Sequence, residues 1–241
     1  MSLNCNEIDT VLSELDLAGS FIQDVVQPGY DSIALYTYKP GQPKTVFICL
    51  AAAACRIHET RRKIPKNAKP LRFNELLKSR IKGARIISAG QLGKERIIRL
   101  ELHKDAPIFV MPAAKEKLAK IKNAAGAAPG QPLADAQGPD AAAAEEPAGD
   151  NYELYIRLWS NAANIFLCTP GSDRASASSG RADEAPVAPA SPATGPVIID
   201  SFFRRPGKGE TSGEVLKLPQ ARPQEKDWPV RDFREVEEAW L

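Results

Sequence analysis

Basic side chains concentrate in one stretch of the 241-residue chain, between Arg56 and Arg85. These thirty residues hold eleven lysines and arginines against two acids, a local charge of +9, although the whole chain carries only +2. Residues 1–55, by contrast, carry −4. A concentrated positive field attracts phosphate backbones and releases their condensed counterions. The pattern favours polyanion binding, and a solvated charged face is the alternative that charge alone leaves open.

The cations are expected to form a surface, because they continue from a loop onto a predicted helix. Pro65 and Pro70 keep the loop extended, and Lys78 lies on the polar face of the helix. The sequence contains no helix-turn-helix, zinc-finger or RNP-type motif, so shape and phosphate contacts with structured RNA are favoured over base reading. The candidate RNA-binding residues in this stretch are Arg56, Arg61, Arg62, Lys63, Lys66, Lys69, Arg72, Lys78 and Lys82.

Residues that could support catalysis are few. His58 and His103 are the only histidines, and the sequence has no glycine-rich phosphate loop, metal-spaced cluster or nucleophile elbow. None of the four cysteines has the two-residue spacing of a zinc or redox motif, and we expect Cys49 and Cys55 to be buried free thiols. The sequence therefore predicts a binding module and not an enzyme, with no cofactor and no metal.

The elements that must position these residues follow from hydrophobic periodicity and from glycine and proline punctuation. Helices are predicted at 6–17, where Gly19 would close the helix, and at 73–82, where Gly83 ends it. A shorter lysine-rich helical pattern covers 113–122. Short alternating or apolar runs predict strands at 21–26, 32–38, 45–50, 55–58, 85–89, 96–102, 152–157, 164–168 and 197–203.

Two stretches rich in alanine, glycine, serine and proline interrupt this pattern, at 123–149 and 171–196. They contain too few large apolar residues to offset ordering entropy, so we predict disorder. Because strands resume after each stretch, residues 1–222 are expected to be one domain with two insertions. The amphipathic segment 227–241 ends within its apolar pattern, which predicts the start of a truncated helical segment from residue 223, with a docked terminal helix as the alternative.

The N-terminus lacks the basic start and apolar core of a signal peptide, and no apolar run is long enough to span a bilayer. A reduced, cytoplasmic location without membrane contact is therefore expected.

The order of the motifs resembles the N-terminal domain of the NFACT family, the ribosome-quality-control factors of RqcH type that are also known as fibronectin-binding proteins. The likeness covers most of 3–220 outside the insertions. The matching stretches are Cys55-Arg56-Ile57-His58-Glu59-Thr60, the basic loop, the spacing Phe73, Leu77, Ile81 and Gly83, and residues 85–87, 91–98, 164–167 and 198–200.

This resemblance implies an α+β fold, a mostly antiparallel β-sandwich with two main helices, like the N-terminal domain of formamidopyrimidine-DNA glycosylases. It also implies binding to tRNA and to the RNA and protein of the obstructed large ribosomal subunit, during template-free tailing of stalled chains. An Asp-Arg pair of the family corresponds to Glu95-Arg96, so both residues join the candidate RNA-binding set. Across 157–164, only Asn164 keeps the family's pattern.

The sequence also bears on three other functions. A glycosylase of the formamidopyrimidine type needs an N-terminal proline followed by glutamate, whereas this chain begins Met1-Ser2-Leu3, so DNA chemistry is not expected. A surface adhesin would need export, for which the sequence shows no signal. A non-catalytic scaffold or degenerate fragment without RNA binding is the main alternative.

Overall fold

The computed structural model describes residues 2–67, 69–105, 149–171, 195–219 and 228–232. Within these ranges there are two α-helices and nine strands, and a 3-10 turn at Pro206–Lys208 follows the last strand. The helices are α1 (Cys5–Leu15) and α2 (Arg72–Ile81). The strands are β1 (Phe21–Val26), β2 (Ser32–Lys39), β3 (Gln42–Cys49), β4 (Arg56–Glu59), β5 (Arg85–Gln91), β6 (Ile97–Lys104), β7 (Asp150–Arg157), β8 (Asn164–Thr169) and β9 (Val197–Ser201).

All nine strands belong to one antiparallel sheet with the order β4-β3-β2-β1-β5-β6-β7-β8-β9. Consecutive strands are neighbours except where β4 leads through α2 to β5, which pairs with β1. The β1–β5 seam has one registered pair, Phe21 with Arg85. The expected α+β class is therefore confirmed, but hydrogen bonding joins the strands into a single sheet that is narrow at this seam. The likeness to the glycosylase domain stays a prediction.

Both halves of the sheet contribute to one main hydrophobic core. β1 to β4 supply residues such as Ile22 and Ile48, and β5 to β8 supply residues such as Leu100 and Ile156. α1 and α2 cover this core with apolar side chains at helical spacing: Ile8, Val11, Leu12 and Leu15 from α1, and Phe73, Leu77 and Ile81 from α2. Because α2 buries one face, its lysines and arginines must lie on the other.

The predicted strands are all present, with small differences at their ends. β3 begins at Gln42, earlier than predicted, although Pro43 lies within it. Pro43 pairs with Tyr38 of β2, while β4 joins β3 only from Val46 onward, so the missing proline N–H faces no strand. The expected closure of the first helix by Gly19 is wrong: α1 ends at Leu15, because Asp16 adopts the left-handed conformation with φ of 41°.

The predicted helix at 113–122 lies outside the described residues, as do nearly all of both insertions. Of the segment 227–241, only 228–232 is described, and it is neither helix nor strand. The division into a domain at 1–222 and a helical segment from 223 stays a prediction.

A capping box fixes the start of α1. The Asn4 side chain accepts a hydrogen bond from the Glu7 N–H at 2.9 Å, and the Glu7 carboxylate accepts one from the Asn4 N–H at 2.8 Å. These reciprocal bonds satisfy two N–H groups at the helix start that have no partner within the helix.

Replacing Asn4 with alanine should lower the free energy of unfolding by about 1 kcal/mol, because the cap is lost. Urea denaturation measures the change. Glu14→Ala, at an exposed position of the same helix, is the control and should change stability by less than about 0.5 kcal/mol. Equal effects of the two substitutions would show that the cap does not stabilise α1.

Candidate nucleic-acid interface

The basic loop, residues 60–71, connects β4 to α2. The loop ends at Leu71, the residue before the helix. Leu71 has an extended backbone and provides no side-chain cap for the helix. α2 ends before Gly83, whose φ of 86° is readily adopted only by glycine. The Gly83 N–H then bonds the Ile22 carbonyl at 2.7 Å, so the end of α2 is attached to β1.

Five candidate cations of the basic loop are exposed: Arg61, Arg62, Lys63, Lys66 and Lys69. Within the described part of the chain, only Lys66 among these five forms an ion pair, with the Asp24 carboxylate at 3.9 Å. Lys82 of the α2 end approaches the other oxygen of Asp24, also at 3.9 Å. Asp24 therefore draws a loop cation and a helix-end cation to one place. Such exposed pairs are weak, so a phosphate can compete with the carboxylate.

A groove with a volume of about 130 Å³ lies between the loop, the end of β1 and the first turns of α2. Lys66 and Lys69 line it from the loop, and Lys78 lines it from the helix. Lys78 also lies 3.4 Å from Glu75, one turn earlier on α2. The structure thus brings Lys66, Lys69 and Lys78 together around one opening, as a surface continuous from loop to helix requires.

Arg72 has a different role from its neighbours in the basic stretch. Its guanidinium pairs with Asp200, which is 1% exposed, and donates to the Ser201 carbonyl at 2.7 Å. Burial, and then the charge of Arg204 on the same carboxylate, lower the pKa of Arg72. These contacts attach the first residue of α2 to β9, so the Arg72 guanidinium is engaged within the fold.

Glu95 and Arg96 lie in the turn between β5 and β6. Their carbonyls accept hydrogen bonds from the residues that follow β7, the strand next to β6: Glu95 from the Trp159 indole, and Arg96 from the Leu158 N–H at 2.9 Å. Arg96 has a φ of 57°, which is uncommon for a residue other than glycine. No signal in the sequence indicated this conformation.

The Arg96 guanidinium lies in the neighbourhood of Cys5 and Glu7 of α1 and of Cys55 before β4. Burial lowers its pKa, and the nearby thiols and carboxylate partly oppose that effect. Its Nε and Nη2 atoms are buried and have no hydrogen-bond partner among the described residues. Arg96 therefore lies beside residues of α1 and of the segment before β4, whereas Lys66, Lys69 and Lys78 surround the groove.

Arg56 is partly buried at the start of β4 and donates to the Ala54 carbonyl at 3.2 Å. Desolvation, and then the charge of Arg56, lower the pKa of His58 to about 4, so this imidazole is neutral at pH 7. His58 packs edge-on against Phe47 with ring centroids 5.5 Å apart. Cys49 and Cys55 are buried and not disulfide-bonded, as predicted.

Sequence reasoning missed several polar residues that the fold brings together. Gln27 and Asn74 line the groove, yet each is an isolated amide in the sequence without a motif around it. Arg157 and Glu210 form a buried ion pair beside Asn164, whose amide donates to Glu210 at 2.8 Å. Asn164 is the one residue across 157–164 that resembles the family's pattern. Its contacts thus help to pack β8 against the segment after β9. Only long-range contacts define these pairs, and no local spacing reveals them.

The segment 228–232 lies against the start of α1. Arg231 donates from Nε and Nη2 to the two Glu7 carboxylate oxygens, both at 2.6 Å, and Glu7 is fully buried. Asn4 and Asn6 donate to the carbonyls of Pro229 and Trp228. Burial raises the pKa of Glu7, but hydrogen bonds from Arg231 and Asn4 outweigh it and hold the pKa below the ordinary 4.5.

In the ranges that the structure describes, no three histidine, cysteine or acidic side chains come together as metal ligands. Likewise, none of the helices described above is long and apolar enough to cross a membrane.

Arg72→Met should destabilise the protein by about 1–3 kcal/mol, because it leaves the buried Asp200 carboxylate with fewer donors. Lys69→Met removes an exposed cation of the adjacent basic loop and should change stability by less than about 0.5 kcal/mol. Urea denaturation of both variants separates the two roles. If Lys69→Met were the more damaging change, the assignment of Arg72 to the fold would be wrong.

The Glu7–Arg231 pair should stabilise the protein in a pH-dependent way. A carboxylate whose folded pKa is lowered stabilises the fold above its unfolded pKa, and that contribution is lost as the pH falls through the folded pKa. Arg231→Gln should therefore lower the free energy of unfolding at pH 7 and have a much smaller effect near pH 3. Urea denaturation at both values tests this, and a pH-independent effect would contradict it.

Comparison with known families and structures places this geometry in context. Residues 7–123 match the family described as NFACT N-terminal and middle domains. No match to a curated protein was found.

Three solved structures share the fold. The N-terminal domain of the fibronectin-binding protein PavA from Streptococcus pneumoniae has a TM-score of 0.61 at 15% identity, over 99% of this chain and 72% of that one. The N-terminal part of the fibronectin/fibrinogen-binding protein from Streptococcus suis has a TM-score of 0.59 at 15% identity, over 91% and 62%. The fibrinogen-binding protein from Staphylococcus aureus has a TM-score of 0.57 at 13% identity, over 93% and 58%.

At such low identities these structures show a shared fold, and the chain spans less than two thirds of the S. suis and S. aureus structures. The family match includes α1, the basic loop, α2 and the turn with Glu95 and Arg96, as the sequence resemblance predicted. The resemblance to the NFACT N-terminal domain that the sequence predicted is therefore confirmed over residues 7–123.

Proposed function

We propose that this protein is an RNA-binding module of ribosome-associated quality control, not an enzyme. In this role it binds tRNA and the RNA and protein of the obstructed large ribosomal subunit during template-free tailing of stalled chains, in the cytoplasm. The observation that carries the proposal is the exposed set of cations on the basic loop, which continues onto α2 around one groove.

The cations available to bind phosphate are those whose charge is not already paired with an acidic residue of the fold. Arg61, Arg62 and Lys63 are exposed and form no ion pair with a described residue, whereas the Arg72 guanidinium is held by Asp200 and Ser201. Each phosphate that a cation neutralises releases condensed counterions, so binding should weaken steeply with salt. An A-form RNA surface offers phosphates to such a patch without base contacts.

The assignment to tRNA depends on the family and on Arg96. Two buried guanidinium nitrogens of Arg96 have no acceptor among the described residues, and leaving such donors unpaired costs free energy. A phosphate or base acceptor that reached Arg96 would recover that cost. Glu95 supports the turn through its backbone carbonyl, which leaves the role of its carboxylate to be tested with Arg96.

A second candidate function is binding to a host protein, because the similar solved structures are described as fibronectin- or fibrinogen-binding. Such binding would require the protein outside the cell, and protease treatment of intact cells would reveal it there.

Charge reversal of the basic loop tests the RNA-binding proposal. Arg61→Glu/Arg62→Glu should weaken binding to tRNA by more than about tenfold at low salt and reduce the salt slope by about one to two. Lys208→Glu/Lys217→Glu makes the same change in net charge at exposed positions outside the loop and should leave affinity within about twofold. Fluorescence anisotropy with labelled tRNA, and co-sedimentation with large ribosomal subunits, give the readouts. Equal losses in the two variants, or no binding by the wild type at low salt, would reject the proposal.

A further inference from the structure

Two amide side chains in the groove have hydrogen-bonding capacity that the fold does not use. Gln27 at the end of β1 is 7% exposed, and Asn74 in the first turn of α2 is 6% exposed. The Oε1 atom of Gln27 and the Oδ1 atom of Asn74 are buried and accept no hydrogen bond from any described residue. Unpaired buried acceptors are uncommon in proteins, and two beside one groove require an explanation.

The hydrogen bonds donated by the two amide nitrogens fix the orientation of both side chains. Gln27 donates from Nε2 to the Gly29 carbonyl at 3.1 Å, and Asn74 donates from Nδ2 to the Glu75 carboxylate at 3.1 Å. A carbonyl and a carboxylate can only accept, so rotating either amide by 180° would place two acceptors against each other. The unused atoms are therefore oxygens, which require a ligand with N–H or O–H donors.

The lining includes the Glu75 carboxylate, which is engaged by Asn74 and Lys78, and the rest of it offers cations and N–H groups to a phosphate. Lys66 and Lys69 contribute their cations, and the first turn of α2 has no side-chain cap for its N–H groups. Backbone N–H groups at a helix start bind anions. The volume of about 130 Å³ has room for roughly four waters at liquid density, which suits one small group and not a folded segment.

We propose that this groove receives the base edge of one unpaired RNA nucleotide, with the phosphate outside it on Lys66, Lys69 and the start of α2, and with the exocyclic amino group of the base donating to Gln27 and Asn74. Because the two oxygens lie beneath the surface, side chains that line the groove must move as the base enters. This inference rests on the proposed function and adds to it a preference among bases. Cytosine, adenine and guanine carry such an amino group with two N–H donors, whereas uracil offers only the single N–H of its ring N3.

Other ligands fit the groove less well. An inorganic anion would use the lysines and the helix start but leave both amide oxygens unpaired. A base within a duplex has its amino group engaged in pairing, whereas unpaired bases can turn their edges toward protein. A donor-rich ligand without an anionic group would leave Lys66 and Lys69 unused.

The test compares short oligocytidine and oligouridine of equal length by fluorescence anisotropy. Cytosine carries an amino group with two N–H donors where uracil has a carbonyl, and uracil has only one N–H, on the neighbouring ring nitrogen. The wild type should bind oligocytidine about fivefold more tightly, the effect of one or two net hydrogen bonds. Gln27→Met/Asn74→Leu removes both acceptors at similar volume and should abolish the preference. Gln91→Met is the matched control, since Gln91 also has an unpaired buried amide oxygen but lies beside Cys5 and Asp9 of α1.

The outcomes test the nucleotide site separately from the proposed RNA-binding function. Equal affinity of the wild type for both oligonucleotides would overturn the nucleotide site, while salt-dependent tRNA binding would keep the proposed function. A preference that persists in the folded double variant, or that Gln91→Met removes, would also overturn the site. Absence of binding to tRNA and to both oligonucleotides would overturn the proposed function itself. Thermal unfolding checks the variants, and if the double variant does not fold, the wild-type ratio and Gln27→Met decide.

Discussion

Helix α2 is held at three points, and the basic surface depends on that attachment. At its start, Arg72 is bound to Asp200 and to the Ser201 carbonyl of β9. In its middle, Phe73, Leu77 and Ile81 are buried in the main core. At its end, the Gly83 N–H bonds Ile22 beside the β1–β5 seam. A helix fixed at both ends and along one face cannot rotate, so the side chains of Lys78 and Lys82 must face outward beside the loop.

The same attachment divides the basic residues by function. A count of charge along the sequence treats every arginine alike, yet Arg72 is engaged with Asp200, while Arg61 and Arg62 have no ionic partner in the described part of the chain. Asp24 adds a weak link between Lys66 and Lys82 that keeps loop and helix cations near each other. Surface potential, and not the total of +9, is therefore the quantity that a phosphate backbone would experience.

Much of the fold could be predicted from local patterns, because alternation fixes strand faces and Gly83 has the positive φ that ends a helix. The ends of elements were harder to predict. Proline is usually avoided within strands, yet Pro43 lies in β3, because its missing N–H faces no neighbouring strand. Contacts between residues far apart in the chain were not predictable. Arg72 meets Asp200 across 128 positions, and Gln27 meets the groove wall formed by Asn74 only after the sheet is assembled. The candidate site was thus predictable as a charge pattern, but its amide oxygens were not.

If RNA binds as proposed, it lies on the basic loop and the adjacent groove. Lysine acetylation with and without bound tRNA, followed by mass spectrometry, tests this in the intact chain. Bound tRNA should protect Lys63, Lys66 and Lys69 from modification, while Lys208 and Lys217, which are also exposed, react as before. Uniform protection of all these lysines, or protection of Lys208 and Lys217 alone, would contradict it.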